Sequence, residues 1–115
     1  MPEEVALKIA CGLGAGMGRK KEVCGAVTGG ILVLGMRHGR GCNDDRSAME
    51  LTYLKTREFM DEFAKKNGSF ICRKLLNDCD LMTGEGQKHF KENDFLNKIC
   101  KPCVRSAVEI IENIT

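Results

Sequence analysis

The spacing of apolar residues along the chain predicts helices and no strands. Two apolar stretches come first, over residues 4–11 and 22–37, and no charged residue interrupts the second between Val23 and Met36. That uncharged run has 14 residues, fewer than the ~20 that a helix needs to span a bilayer. The pattern therefore favours a central buried helix over a membrane segment.

The second half of the chain shows the spacing of amphipathic helices. Polar capping residues at 43–45 and a Ser47–Glu50 capping box predict the start of a long helix, which Gly68 would end. We expect a short helix over 69–82, a polar connector over 83–94, and a terminal helix that starts or breaks at Lys101–Pro102. The predicted buried stripes are Met49, Tyr53, Thr56, Met60 and Phe63 in the long helix, and Leu96, Ile99, Cys103, Ala107, Ile110 and Ile114 in the terminal one.

These segments predict an all-α fold in one domain over residues 1–115. The expected architecture is a small helical bundle of about five helices around a central buried glycine-rich helix. A net charge of +2, a single Tyr and the absence of Trp argue against nucleic acid as a partner. The first residues lack the basic and apolar regions of a secretory signal, so we expect a cytoplasmic protein without a membrane partner.

Cysteine is unusually frequent for a cytoplasmic chain. Seven cysteines stand at irregular spacings, at positions 11, 24, 42, 72, 79, 100 and 103. Standing disulfides are uncommon in a reducing compartment, and an odd number does not suit a disulfide framework. The cysteines are therefore expected to be buried thiols, metal ligands or redox-active groups.

The glycine-rich stretch over 12–30 does not match a phosphate-binding loop. Its glycines fit neither the dinucleotide fingerprint nor the P-loop, and no strand is predicted before it. Gly25 and Gly29 fall on one helix face, which would let another helix approach closely. Cys24 lies near the start of this helix, where the dipole favours a thiolate; the alternative is a small core residue.

Cys100 and Cys103 form a C-x-x-C pair around Pro102. Proline suits the first turn of a helix, which would place Cys100 at the helix N-terminus. Free N–H groups there would lower the pKa of Cys100 and make it the attacking thiolate, with Cys103 as the resolving thiol. The alternative is a pair of core cysteines beside an incidental proline.

Three segments together resemble the C_GCAxxG_C_C family of redox-active proteins. They are "GLGAGMGRKKEVCGAVTGGILVLGMRHG", "FAKKNGSFICRKLL" and "CKPCVRSAVEIIENI". The resemblance implies that Cys24, Cys72 and Cys100 form a shared redox or ligand set, so these three should converge in space. Members of the family usually carry a further helix with another cysteine upstream, which this chain begins too late to contain. The apolar helix face left uncovered would favour a homodimer.

We therefore expect a thiol-based redox protein, a thiol/disulfide oxidoreductase, that passes electrons to an unknown redox partner protein. Its chemistry would rest on Cys24, Cys72, Cys100 and Cys103. The same four thiols could instead bind zinc or an iron–sulfur cluster without catalysis, and a third alternative is an interaction module whose thiols only pack. Cys11, Cys42 and Cys79 are expected to be bystanders.

Overall fold

A computed structural model describes residues 2–114, and nearly every segment of them is helical. The helices are α1 (Glu3–Ala10), α2 (Gly14–Met17), α3 (Gly25–His38), α4 (Arg46–Asn67), α5 (Cys72–Leu75), α6 (Gly84–Glu92) and α7 (Lys101–Ile114). A 3₁₀ turn, Cys11–Leu13, follows α1, and a π-helical turn, Leu96–Cys100, leads directly into α7. Within 2–114, five helices have eight residues or more and there is no strand, which confirms the all-α prediction.

The main hydrophobic core lies where α3, α4 and α7 meet. Its buried members are Val27, Leu34, Phe59, Phe63, Cys103, Ala107, Ile110 and Ile111. Gly30 is the glycine that permits this packing, because a Cβ there would lie 2.4 Å from the Phe59 ring and 2.9 Å from Ile111. The predicted role of Gly29 is wrong, since a Cβ at Gly29 would have no neighbour within 4 Å.

Local sequence signals set the ends of α4, although the N-cap is Asp45 and the predicted Ser47–Glu50 capping box does not form. Asp45 caps the helix by accepting a 2.9 Å hydrogen bond from the Ser47 N–H, and Gly68 ends it in a left-handed conformation with φ of 90°. The predicted stripe on α4 is offset, because Phe59 and Phe63 are its buried residues while Tyr53 is 52% exposed. Of the stripe predicted for the terminal helix, Cys103, Ala107 and Ile110 are buried, whereas Leu96 is 51% exposed.

The segment predicted as a polar connector contains α6. Thr83 caps this helix by accepting a 2.9 Å hydrogen bond from the Gly86 N–H. Gly86 is required there, since a Cβ would fall 1.6 Å from the Asp80 carbonyl oxygen. Glycines at 84 and 86 lower the helix propensity, and the sequence pattern therefore did not predict this helix. Its cap and the packing of Phe90 stabilise it.

The short helix expected over 69–82 is mostly a turn. Only α5 is helical, and Asn77 and Asp78 then adopt positive φ values of 53° and 64°, which reverse the chain. Cys79 is thereby brought into a second buried cluster with Cys72, Leu76 and Leu81. In the continuous helix expected over 69–82, Cys72 and Cys79 would have been about two turns apart, and the reversal of the chain prevents this.

One face of α3 and all of α1 remain outside the core. α1 buries no side chain, and Leu7 and Met36 are 66% and 64% exposed. An apolar groove of about 490 Å³ runs between the two helices and is lined by Ile9, Leu32 and Val33 among others. Within residues 2–114 no helix combines the length and hydropathy needed to cross a membrane.

Candidate functional site

Two short backbone segments hold Cys24 beside Cys72. Val23 and Ile71 form an isolated antiparallel bridge. The Cys24 N–H donates to the Phe70 carbonyl at 2.8 Å, and the Cys72 N–H donates to the Glu22 carbonyl at 2.6 Å. Because α3 begins directly after Cys24 and α5 begins at Cys72, the bridge brings the starts of two helices together.

The glycine-rich stretch folds over these two cysteines, and two of its glycines allow contacts that a side chain would block. Gly16 adopts a positive φ of 68°, and a Cβ there would lie 2.7 Å from the Cys72 Cβ. A Cβ at Gly25 would lie 3.0 Å from the Leu13 carbonyl oxygen. The close approach expected at Gly25 is therefore made by backbone from the 3₁₀ turn rather than by another helix.

The terminal helix brings Cys100 and Cys103 to the same place. Helical backbone runs without a break from the π turn into α7, so Cys100 does not stand at a free helix N-terminus. The Lys101 N–H donates to the carbonyl of Leu96, five residues earlier, which is the π-helical pattern. The next residue, Pro102, has no N–H to donate. We attribute the π turn to this proline, and the predicted helix start at Lys101–Pro102 is a change of helix type.

All four predicted cysteines line one inner pocket of about 20 Å³. Its walls are completed by Leu75, Leu76 and Ile99. Cys24, Cys72 and Cys100 also line a wider groove of about 310 Å³, here called the thiol groove, which the glycine-rich stretch borders and which is open to solvent on one side. The structure thus brings Cys24, Cys72 and Cys100 together, while their chemical role stays a prediction.

Cys24 has the environment of a thiolate. The Cys103 thiol is the largest cause of a lowered pKa at Cys24, and the Ala26 and Val27 N–H groups at the start of α3 act in the same direction. These influences outweigh the effect of burial and lower the pKa of Cys24 from its ordinary 9.0 to about 6. The direction agrees with the effect expected at the start of a helix, whereas the Cys24 side chain makes no capping hydrogen bond there.

The pKa values of the other three thiols are raised. Hydrogen bonding to Cys24 raises the pKa of Cys103, and its 4% exposure adds to the rise. Burial raises the pKa of Cys72 to about 11 and raises that of Cys100, and the neighbouring Cys24 charge acts in the same direction. The prediction that Cys100 is the low-pKa thiol is wrong, because no free N–H groups face it and its surroundings are apolar.

The pocket does not have the form of a metal site. Among residues 2–114, no group of three or more His, Cys, Asp or Glu side chains is arranged to hold a metal ion. The pKa values of Cys72, Cys100 and Cys103 are all raised, whereas zinc and iron–sulfur ligation requires several thiolates directed at one centre. The four thiols do not fit the predicted zinc or iron–sulfur cluster in this arrangement.

Two cysteines expected to be bystanders lie beside the site. Cys11 lines the thiol groove at its exposed edge, and Cys79 packs against Cys72 while its thiol donates to the Gly86 carbonyl at 3.2 Å. The one sequence feature that could have indicated the position of Cys11 near the site is Gly25, because a glycine there lets the 3₁₀ turn pack beside Cys24. Cys42 is exposed in the loop after α3 and borders neither groove.

The fold and the site define an all-α protein with clustered free thiols around one activated cysteine. A family model described as "Putative redox-active protein (C_GCAxxG_C_C)" matches residues 1–114. The chain belongs to this C_GCAxxG_C_C family, as its three resembling segments indicated. No curated protein and no solved structure matches it.

Proposed function

We propose that the protein is a thiol/disulfide oxidoreductase whose working pair is Cys24 and Cys103. The observation that carries this proposal is that Cys24 and Cys103 line the same inner pocket while Cys24 also lines the open thiol groove, and the interaction with Cys103 is the main cause of the lowered pKa of Cys24. The pair combines a nucleophile whose pKa is lowered to about 6 with a second thiol in the same inner pocket. The description of the family as redox-active agrees with this chemistry.

The first step is attack by the Cys24 sulfur on a disulfide of the partner. A bond forms between Cys24 and one partner sulfur, the partner S–S bond breaks, and the leaving thiolate takes a proton from water. The Ala26 and Val27 N–H groups at the start of α3 lower the pKa of Cys24 and so favour the attacking thiolate. The groove gives the partner sulfur access to Cys24.

The second step is attack by Cys103, and the first step prepares it. The negative charge on Cys24 is the main cause of the raised pKa of Cys103, through both the hydrogen bond and direct repulsion. Once Cys24 is bound in a mixed disulfide that charge is gone, so Cys103 gives up its proton more readily. Its sulfur then bonds to Cys24 and the second partner sulfur leaves, taking the proton. Two electrons have passed from the cysteine pair to the partner.

Cys72 and Cys100 are assigned a supporting role in this proposal. Both line the inner pocket and stay protonated beside the Cys24 charge. They keep the pocket apolar and narrow, which limits water at the reacting sulfurs. Their replacement by serine should alter the rate of the exchange and leave the Cys24–Cys103 pairing in place.

The test is a redox titration against dithiothreitol buffers, with free thiols counted at each point and the metal content of freshly purified protein measured in parallel. The proposal predicts one two-electron couple that is lost in Cys24→Ser and in Cys103→Ser and retained in Cys42→Ser, the matched control at an exposed cysteine. A couple that survives Cys24→Ser would refute the proposal. Stoichiometric zinc or iron that disappears in the same variants would favour the metal-binding alternative.

A further inference from the structure

We infer that Cys11 is a third redox residue, which carries the disulfide from the buried pair to the protein surface. The inference rests on the proposed Cys24–Cys103 pair. It concerns how that pair is reduced again after it has oxidised. Cys11 would accept the disulfide from Cys103 and present it to a dithiol reductant.

The position of Cys11 supports this role. It is exposed at the edge of the thiol groove, which Cys24, Cys72 and Cys100 also line. The 3₁₀ turn that carries it rests on the residue after Cys24, with the Leu13 carbonyl oxygen 3.0 Å from where a Cβ of residue 25 would be. Glycine at 25 therefore lets the turn that carries Cys11 pack directly beside the residue that follows Cys24.

The segment that carries Cys11 can shift toward Cys24 at small cost. α1 buries no side chain, and the 3₁₀ turn after it has no buried residue either. Segments with few buried contacts have low local stability and move readily. A displacement of the turn into the groove would break no contact of the main core, whose members lie in α3, α4 and α7.

The burial of the working pair makes such a relay useful. Cys103 is 4% exposed, and Cys24 is only partly exposed in the groove that the glycine-rich stretch borders. A small reductant can enter this groove of about 310 Å³ directly, whereas the dithiol of a folded protein meets the exposed Cys11 first. Exchange requires the attacking sulfur to approach along the disulfide axis, so access decides the rate.

The transfer is an internal disulfide exchange. The Cys11 thiolate attacks Cys24 in the Cys24–Cys103 disulfide, the Cys11–Cys24 bond forms, and Cys103 leaves as a thiolate that recovers a proton from water. No electrons leave the protein in this step. One thiolate of an external dithiol then attacks the exposed Cys11 sulfur, and the Cys24 thiolate is released. The second thiol of the reductant attacks the first, which closes the reductant's disulfide and releases Cys11. The two steps together deliver two electrons to the protein.

The experiment compares how the oxidised protein is reduced by two reductants of different size. Wild type, Cys11→Ser and Cys42→Ser are oxidised with one equivalent of diamide, and the Cys24–Cys103 disulfide is verified by peptide mapping. Each is then reduced with thioredoxin, a protein dithiol, and with tris(2-carboxyethyl)phosphine, a small reductant. We expect Cys11→Ser to react with thioredoxin at least about tenfold more slowly than wild type, because access to the sulfur limits the exchange. Its reaction with the phosphine, and both reactions of Cys42→Ser, should match wild type.

A trapping experiment identifies the attacked sulfur directly. Thioredoxin that lacks its second active-site cysteine should be captured as a mixed disulfide on Cys11 of the wild type. Equal thioredoxin rates for wild type and Cys11→Ser, or capture on Cys24 of the wild type, would overturn the relay while leaving the proposed pair intact. Failure of diamide to form the Cys24–Cys103 disulfide would overturn both, and it is seen before any reductant is added.

Discussion

Replacing Cys103 by alanine should raise the pKa of Cys24, because the Cys103 hydrogen bond is the largest cause of its low value. The fall from 9.0 to about 6 corresponds to about 4 kcal/mol of preference for the thiolate, at 1.36 kcal/mol for each pKa unit. A hydrogen bond to a charged group contributes ~1.5–3 kcal/mol, so its loss should raise the pKa by ~1–2 units. The Ala26 and Val27 N–H groups remain and should hold the pKa below the ordinary value.

The assay is the pH dependence of alkylation at Cys24, followed by mass spectrometry of its peptide after brief exposure to iodoacetamide between pH 4 and pH 10. The midpoint is the useful quantity, because a low-pKa thiolate is also a weaker nucleophile and the two effects partly cancel in the absolute rate. We expect a midpoint near 6 for wild type and ~1–2 units higher for Cys103→Ala. Cys103→Ser is the matched control, since its hydroxyl can still donate and should keep the midpoint low.

Two results would refute this reasoning. A wild-type midpoint above 8 would show that Cys24 is an ordinary thiol and that the hydrogen bond does not favour its charge. A wild-type midpoint near 6 that is unchanged in Cys103→Ala would show that the α3 N-terminus alone lowers the pKa. Cys103 would then lose its assignment as the partner of the thiolate.

Three further predictions concern packing, pH and assembly. Gly30→Ala should destabilise the fold by about 1–3 kcal/mol in urea denaturation, because its Cβ would meet the Phe59 ring. Gly35→Ala, whose Cβ would have no neighbour within 4 Å, should be neutral or stabilising. Equal effects of the two substitutions would contradict the packing account. The lowered pKa of Cys24 contributes stability that is fully present above its unfolded pKa of 9.0 and is lost as the pH falls through about 6. Under reducing conditions, the difference in unfolding free energy between wild type and Cys24→Ser should therefore shrink from pH 9 to pH 6. A difference that does not change with pH would contradict the lowered pKa. We also propose a homodimer through the exposed apolar faces of α1 and α3, so light scattering should give twice the chain mass for wild type and one chain mass for Met36→Glu; a monomeric wild type would contradict it.

The sequence predicted the helical architecture because its apolar spacing and its caps are local signals. Asp45, Gly68 and the α7 stripe behave as their neighbours in the chain dictate. α6 escaped prediction because two glycines lower its propensity, and its stabilising contacts come from residues distant in sequence. The close helix contact was assigned to Gly29, but the adjacent Gly30 makes it. Only the position of the Phe59 ring, on a helix distant in sequence, shows which glycine faces α4.

The set of clustered cysteines was predictable, but the distribution of charge among them was not. Cys24 could be proposed as a candidate because the local sequence indicates where α3 starts. Cys100 was favoured wrongly because Pro102 normally begins a helix, and a π turn cannot be foreseen from the proline alone. The partner of Cys24 depends on a contact between α3 and α7, which no local pattern records.

The central claim is that Cys24 and Cys103 form the working dithiol, and mapping the first disulfide tests it most directly. The folded, fully reduced protein is treated with less than one equivalent of diamide, quenched by alkylation in acid, digested, and analysed without reduction. The account predicts a Cys24–Cys103 linked peptide as the first and dominant product. A first disulfide between Cys100 and Cys103, or between Cys72 and Cys79, would contradict it.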